Sequence, residues 1–423
     1  MIFFARLLPI CALREYSLWG GKPHSFGNIN VPSSQATLIS RCRCKKYSSK
    51  LDIFRSLVAI FAMIMNIVAR MKIVMDEKIP YLQGALTQMG HTVTAMPGDA
   101  IDAVALEGAG ALFVRTRTMC NAALLDGTDV RFIGTATIGY DHIDADYCRR
   151  AGIEWVSAPG CNADAVLQYV QSSIYSWLQD KKTDISALAI GVVGVGRIGS
   201  RVERWARSQG MTVLLNDPPR QAAGEQGFVS LDEIARVCDI VTFHPTLSLS
   251  GPFRSYHLLD SAFLAKINRR ALLINVSRGA VADNNALYDA IVGNSLLDVA
   301  LDVWENEPKI SQELLDRAFI ATPHIAGYSA KGKLNASQMM LQAFAQYTSY
   351  KAELPHIELP PPANNNIEAS TLADALLKIY SPLSDTAKLK SSPSMFEWLR
   401  NNYELRREPS EFIVRVDGKP VVL

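Results

Sequence analysis

The chain has 423 residues, of which 48% are hydrophobic and 20% charged, and a formal net charge of +2. That length predicts two or three domains, and the composition predicts a soluble globular protein able to build the core of an α/β enzyme. Ten basic side chains against Glu15 and Asp52 fall within residues 1–70, so the remaining 353 residues hold −6, which argues against a nucleic-acid footprint.

The first seventy residues read differently from the rest. SLVAIFAMIMNIVA (56–69) is apolar, but it is short of the ~20 residues that a bilayer span needs and is broken by Asn66. It also lies too far into the chain, behind a basic cluster, for a secretory signal peptide. Residues 1–70 are therefore expected to be an atypical extension outside the fold, with the natural start at Met71. A membrane-associating leader is the other reading. The cysteines (Cys11, Cys42, Cys44, Cys120, Cys148, Cys161 and Cys238) form no CxxC pair, and CRC at 42–44 lacks metal-ligand spacing. No metal site is expected, and the odd, scattered set fits a reducing, cytoplasmic compartment.

From Lys72 onward, short β-rich runs alternate with helical stretches: KIVM (72–75), ALFVR (111–115), FIGTAT (132–137) and EWVSAP (154–159). CNADAVLQYVQSSIYSWLQD (161–180) carries apolar residues at helical intervals and predicts a long helix capped near Asn162. A denser series follows: ALAIGVVGVG (187–196), MTVLLND (211–217), DIVTFH (239–244), ALLINVS (271–277), LDVALDV (297–303) and FIATPH (319–324). This rhythm predicts stacked βα units around parallel sheets, an α/β protein. NASQMMLQAFAQYTSY (335–350) reads as a helix, ELPPPANNN (358–366) as a linker, and residues 367–423 as a small helix-then-strand unit.

VVGVGRIGSR places Gly194, Gly196 and Gly199 in a G-x-G-x-x-G loop, with Arg197 and Ile198 between the last two, after a strand and before a helix. The first glycine permits the tight turn, the second lets backbone approach a pyrophosphate, and the third packs helix on strand. The anion then rests on the helix N-terminus. The next strand ends in Asp217, eighteen positions after Gly199, close to the ~20 expected for an acid on the ribose hydroxyls. A carboxylate there favours NAD over NADP, although Arg220 nearby keeps NADP open. Asp217 could also serve only the turn before Pro218–Pro219.

Three charged groups follow late strands, where an open α/β sheet places its ligands: Arg278 after LLINVS, Glu307 in LDVWENE, and His324 after FIATP. Oxidising a 2-hydroxy acid needs a base for the hydroxyl proton, a cation for the carboxylate, and an acid that orients the base. Histidine suits the first role, a planar guanidinium the second, and a carboxylate beside the imidazole the third. Each has a plain structural reading alone, as a strand cap, a solvated acid or a buried histidine; their shared placement carries the argument.

GVVGVGRIGSR, INVSRGAVAD, LDVWENEP and TPHIAGYSAKGK together resemble the signatures of the D-isomer-specific 2-hydroxyacid dehydrogenases, from about Met71 to the C-terminus. MKIVMDEKIPY, FVRTRT, FIGTATIGYDHID, APGCNADAV, NDPPR and WLRNNYELRRE resemble a branch that oxidises 4-phosphoerythronate in pyridoxal phosphate biosynthesis. The resemblance implies two Rossmann-like lobes plus a small α+β C-terminal dimerisation domain. The substrate-binding lobe would span 71–163, completed by 326–350; the inserted NAD lobe 164–325; the dimerisation domain 351–423. It implies Arg278, Glu307 and His324 as catalytic residues. It places NAD at the glycine loop, Asp217, Val276, Ser277, Arg278, Asp302 and Gly327, and substrate at Thr116, Thr137 and Tyr328. One departure is FHPTL (243–247), where relatives read His-Thr-Pro; Pro245 removes an N–H donor and leaves that cofactor contact open.

A dianionic phosphate in the cleft wants cations and hydroxyl donors. FVRTRT offers Arg115, Thr116 and Arg117, and strand alternation would put both arginines on one side; a solvated basic strand end is the plainer reading. Cys161 reads as a small structural residue, since hydride transfer needs no thiolate. The expected partners are a phosphorylated 2-hydroxy acid and a second copy of the chain, with no nucleic acid and no membrane. Another 2-hydroxyacid dehydrogenase, for example one acting on 3-phosphoglycerate, and a non-catalytic NAD-sensing protein on the same fold are the alternatives.

Overall fold

The computed structural model describes residues 70–422 apart from 180, 182 and 295, so the extension expected over residues 1–70 falls outside the description except for Arg70. Two parallel sheets and one small mixed sheet organise the rest. The first sheet has five strands: β1 (Lys72–Asp76), β2 (Thr92–Met96), β3 (Ala109–Val114), β4 (Phe132–Thr135) and β5 (Glu154–Val156), in the order β2-β1-β3-β4-β5. The second has six: β6 (Ala189–Val193), β7 (Thr212–Asn216), β8 (Ile240–Phe243), β9 (Leu272–Asn275), β10 (Asp298–Leu301) and β11 (Ile320–Ala321), in the order β11-β10-β9-β8-β6-β7. Their central strands are buried on both faces, as parallel strands covered by helices must be.

Chain reversal between lobes is made by two long helices. Ala163–Leu178 leaves the first sheet and packs Val166, Tyr169, Val170 and Ile174 into the core of the second. Asn162 occupies its N-cap position but makes no side-chain capping hydrogen bond. The helix Ala330–Tyr347 returns: it starts five residues earlier than its apolar pattern suggests, capped by the Ser329 hydroxyl on the Gly332 N–H. Its Met340, Leu341 and Phe344 pack on the first sheet, where Phe344 meets Phe113 and Phe132 at ring separations of 5.5 and 5.3 Å. Truncating Phe344 would cost about 3–5 kcal/mol, the usual range for a fully buried phenylalanine.

The C-terminal unit opens on a strand rather than a helix. β12 (Asn366–Ala369) pairs parallel with β13 (Ile413–Val416), which pairs antiparallel with β14 (Lys419–Val421). Helices Leu372–Ile379, Pro382–Ser391 and Phe396–Asn401 lie between. Thr386 of the second donates its hydroxyl within that helix and accepts the backbone N–H of Ala321, tying this unit to β11. Among the described residues, no helix is long and apolar enough to cross a membrane, and no cluster of metal-ligating side chains is present.

Candidate active site

The glycine loop follows β6 directly and opens the helix Gly199–Ser208. Gly194 has φ +84°, and a Cβ there would lie 2.6 Å from the Pro245 nitrogen, so a side chain is excluded by both conformation and space. A Cβ on Gly199 would collide with the Gly194 carbonyl, whereas one on Gly196 would meet no protein atom within 4 Å. The middle glycine alone borders open space, which is where a pyrophosphate needs access to backbone. Arg197 lies exposed beside it, and Ile198 is the helix N-cap.

Because β7 runs beside β6, with Asn216 opposite Val193, Asp217 emerges next to the loop. Its carboxylate accepts the Val195 N–H at 2.8 Å and the Arg220 N–H at 3.1 Å, capping the short helix Pro218–Ala222. A carboxylate has about four lone-pair sites, so two acceptor directions remain for a diol. Arg220 is held by the Glu225 carboxylate and the Val195 carbonyl, which draws its charge away from a ribose phosphate. On the other side of β6, His244 is partly exposed, with its imidazole pKa pushed down to about 3 by burial of the ring and Nε2 on the Thr242 hydroxyl. Pro245 packs against the Gly194 turn. These residues fit an NAD molecule.

β9, β10 and β11 are neighbours in register, Asn275 opposite Leu301 and Leu301 opposite Ala321, so the segments that follow them emerge side by side. Val276 and Ser277 are buried in the first turn, where Ser277 is held by the Asn275 side chain. Arg278 comes next; it reaches the Gly139 backbone of the other sheet's loop and lies 3.6 Å from Asp141. Gly279 permits this turn to press on the Trp304 carbonyl. Glu307 and His324 meet directly: Nδ1 of the imidazole lies 2.8 Å from Oε2, and Oε1 accepts the Trp304 N–H at 2.9 Å. The Nδ1–H donates to the carboxylate, which leaves Nε2 as the acceptor nitrogen. Burial would raise the Glu307 pKa, but the His324 hydrogen bond and charge, the Trp304 N–H and Arg400 hold it below the ordinary value. His324 itself has φ +58°, a left-handed conformation that a non-glycine residue adopts only when its surroundings impose it.

Asp302 imposes part of it. Its carbonyl accepts the His324 N–H, while its buried carboxylate accepts the Thr322 hydroxyl and the Ile325 and Ala326 N–H groups. Gly327 touches Asn162 so closely that any Cβ would strike its side-chain amide. Thr137 donates to the Gly139 carbonyl at 2.8 Å and stands 2.7 Å from Thr135, which in turn meets Nε2 of buried His142. With Thr137 donating onward, Thr135 donates to Thr137 and His142 donates to Thr135. Thr116 is exposed on the loop after β3.

The alternation argument for Arg115 and Arg117 does not hold. β3 ends at Val114, so both arginines sit on irregular chain and diverge. Arg115 pairs at 2.9 Å with fully buried Asp76, and Arg117 pairs with Glu397. Arg115 nevertheless acts on Tyr328. That phenol would be pushed up by burial, but the charges of Lys333, Arg400 and Arg115 outweigh it and lower its pKa. The Lys333 ammonium lies 4.3 Å over its ring. Burial lowers the pKa of Lys333, and the charges of Arg115 and Arg400 lower it further. Lys333 and Arg400 were not singled out from the sequence, although GYSAKGK and WLRNNYELRRE contain them. Cys161 is buried, its thiol pushed up to about 11 by burial.

Residues 162–326 match the family model for the D-isomer specific 2-hydroxyacid dehydrogenase NAD binding domain. An erythronate-4-phosphate dehydrogenase of Bacteroides thetaiotaomicron is 47% identical over 345 residues, covering 81% of this chain and 98% of that protein. One from Cronobacter sakazakii is 41% identical over 361 residues, covering 82% and 95%. Among solved structures, a D-lactate dehydrogenase of Aquifex aeolicus, complexed with NAD and lactic acid, superposes with a TM-score of 0.55 at 23% identity. It covers 66% of this chain and 95% of its own.

Proposed function

The chain belongs to the erythronate-4-phosphate dehydrogenases, within the D-isomer-specific 2-hydroxyacid dehydrogenase family, and on that premise we propose that it oxidises C2 of 4-phospho-D-erythronate with NAD. The product is 3-hydroxy-2-oxo-4-phosphooxybutanoate, an intermediate on the way to pyridoxal 5′-phosphate. One observation carries the choice of a phosphorylated acid: Tyr328, four residues beyond the His324 base, lies among Lys333, Arg400 and Arg115. Three cations and a phenol suit a dianion and are more than a small hydroxy acid's carboxylate requires.

Bound NAD supplies the hydride acceptor. Its residues would be Gly194, Gly196, Arg197, Ile198 and Gly199 at the pyrophosphate, Asp217 at the ribose, and Val276, Ser277, Arg278, Asp302 and Gly327 along the cleft. In the reaction, Arg278 holds the substrate carboxylate and polarises the C2 oxygen. Nε2 of His324 takes the hydroxyl proton as the C2 hydride leaves, and Glu307 stabilises the imidazolium that results. Thr116 and Thr137 contribute hydroxyls to substrate, and Arg115 adds charge near the phosphate.

The domain division supporting this reading is a substrate lobe of 71–163 completed by 326–350, an NAD lobe of 164–325, and a dimerisation domain of 351–423. Exposed Met395, Trp398 and Ile413 in that last segment support a homodimer built through it. The four described cysteines are free thiols, which fits a cytoplasmic location. The test is NADH formation from 4-phosphoerythronate, 3-phosphoglycerate and unphosphorylated erythronate. The first should be turned over with by far the highest kcat/KM; equal activity on unphosphorylated erythronate would remove the phosphate assignment.

A further inference from the structure

Arg406, in the C-terminal unit, is buried, and all five of its side-chain N–H groups are spent. Nε donates to Gln168 Oε1 at 3.1 Å. Nη1 donates to the carbonyls of Ile325 (2.9 Å) and Tyr328 (3.1 Å). Nη2 donates to the carbonyls of Ala165 (2.9 Å) and Ala326. The guanidinium face rests on the Tyr380 ring at 4.4 Å. Three of those carbonyls belong to the segment that joins His324 to Tyr328, and the other two acceptors belong to the long helix between the lobes.

The same segment is held from the opposite side. The Asp302 carboxylate takes the N–H groups of Ile325 and Ala326, whose carbonyls go to Arg406. The Ile325–Ala326 peptide group is thus fixed at both ends, its N–H by a buried acid that follows β10 and its carbonyl by a buried base of the C-terminal unit. The neighbouring chain continues the grip. The Arg406 carbonyl accepts the Ala330 N–H at 3.0 Å, and buried Glu408 accepts the Ser329 hydroxyl at 2.6 Å, the same hydroxyl that caps Ala330–Tyr347.

We propose that Arg406 is a positioning residue: it clamps Ile325–Tyr328 against the interlobe helix, so that the C-terminal unit sets where the Tyr328 phenol stands relative to the His324 imidazole. A guanidinium is suited to this because its planar fork addresses several carbonyls at once in fixed directions. A lysine can keep the charge but has three donors on one point, and cannot span Gln168, Ala165 and the loop together. The proposal rests on the substrate reading only where it names the phosphorylated acid.

The test compares the wild-type protein with Arg406→Lys. With thermal stability and KM for NAD as controls for folding, KM for 4-phosphoerythronate should rise at least about tenfold, since small misplacements of a binding group are costly. Unphosphorylated erythronate should lose far less. A second readout needs no substrate: the Tyr328 phenol, followed by 13C NMR of labelled tyrosine and assigned with Tyr328→Phe, should titrate higher in Arg406→Lys than in wild type as it leaves Lys333, Arg400 and Arg115. A folded Arg406→Lys with unchanged KM and an unchanged phenol titration overturns the proposal. If that variant does not fold, Gln168→Met, which removes the acceptor that aims Nε together with the Gln168 amide's own bond to the Arg407 carbonyl, is read the same way: a raised phenol titration supports the clamp and an unchanged one overturns it. Wild-type protein inactive on 4-phosphoerythronate would overturn the substrate reading, and the phenol titration would still decide the clamp.

Discussion

The Arg400 guanidinium lies 3.8 Å from Oε2 of Glu307, the oxygen that already meets Nδ1 of His324 at 2.8 Å. Arg400 also stands beside Tyr328, where its charge helps hold the phenol low. One cation from the helix Phe396–Asn401 therefore adjoins both the proton-transfer pair and the anion-binding tyrosine. It is mostly buried, with 19% of its side chain exposed, so little solvent screening separates it from either.

Replacing Arg400 by Met should raise KM for 4-phosphoerythronate by about tenfold to a hundredfold, the equivalent of one hydrogen bond to a charged group at ~1.5–3 kcal/mol. Erythronate lacks the phosphate and should show little change in KM. Steady-state kinetics on both acids decide it: equal losses would mean that Arg400 serves the lobe's packing and not the phosphate.

Glu307→Gln should lower kcat by about 10²-fold or more and His324→Asn by roughly 10²–10⁴-fold, with NAD binding retained in both. The pair also makes a stability prediction. The folded-state pKa of Glu307 is held below its ordinary 4.5, so its contribution to stability is present above that value and lost as pH falls through the folded-state value. Thermal melts of wild type and Glu307→Gln should differ most near neutrality and converge on acidification. A gap that persists at low pH would show the difference to come from packing alone.

Much of the fold was legible because its signals are local. The βα rhythm, the glycine triplet and the long helix near Asn162 each depend on neighbouring residues; β4 to β11 fall inside the expected runs, while β1 runs on to Asp76 and β3 begins early at Ala109. β2 lacked a signal because Thr92–Met96 is a half-exposed edge strand of mixed polarity. β12 straddles the expected linker and the expected helix-then-strand unit, and carries no strand signal because Asn366–Ala369 becomes a strand only by pairing with Ile413–Val416, far along the chain. In the site, Arg278, Glu307 and His324 could be proposed from their places after successive strands. Arg400, Lys333 and Arg406 could not, since nothing in their local sequence says which distant carbonyl, ring or carboxylate they meet. The paired-arginine expectation for FVRTRT fails for a related reason: alternation holds only inside a strand, and β3 stops at Val114, before either arginine.

The glycine loop separates binding from folding within six residues. Gly196→Ala should leave stability within about 0.5 kcal/mol, as an added methyl meets no protein atom, while weakening NAD affinity by intruding where the pyrophosphate lies. Gly199→Ala should destabilise by about 1–3 kcal/mol, the usual cost of overpacking, because its methyl strikes the Gly194 carbonyl. Thermal melts alongside NAD fluorescence titration distinguish them. Equal destabilisation of both variants would mean the middle glycine serves the turn rather than the cofactor.

Tyr328 should give substrate binding an alkaline limit below that of an ordinary tyrosine. Its pKa is lowered from 10.0 because Lys333, Arg400 and Arg115 together outweigh burial. The neutral phenol can donate a hydrogen bond to a phosphate dianion; the phenolate cannot donate and repels it. As pH rises through the lowered phenol value, KM for 4-phosphoerythronate should therefore climb, while KM for unphosphorylated erythronate stays flat. Tyr328→Phe should show a KM about tenfold or more higher at neutral pH, from the lost donor, and no further rise of this kind. Bound phosphate itself favours the neutral phenol, so the limit should lie at higher pH in kcat than in kcat/KM. The same alkaline rise in Tyr328→Phe would assign it instead to Lys333, whose pKa is also lowered, and Lys333→Met would then abolish it.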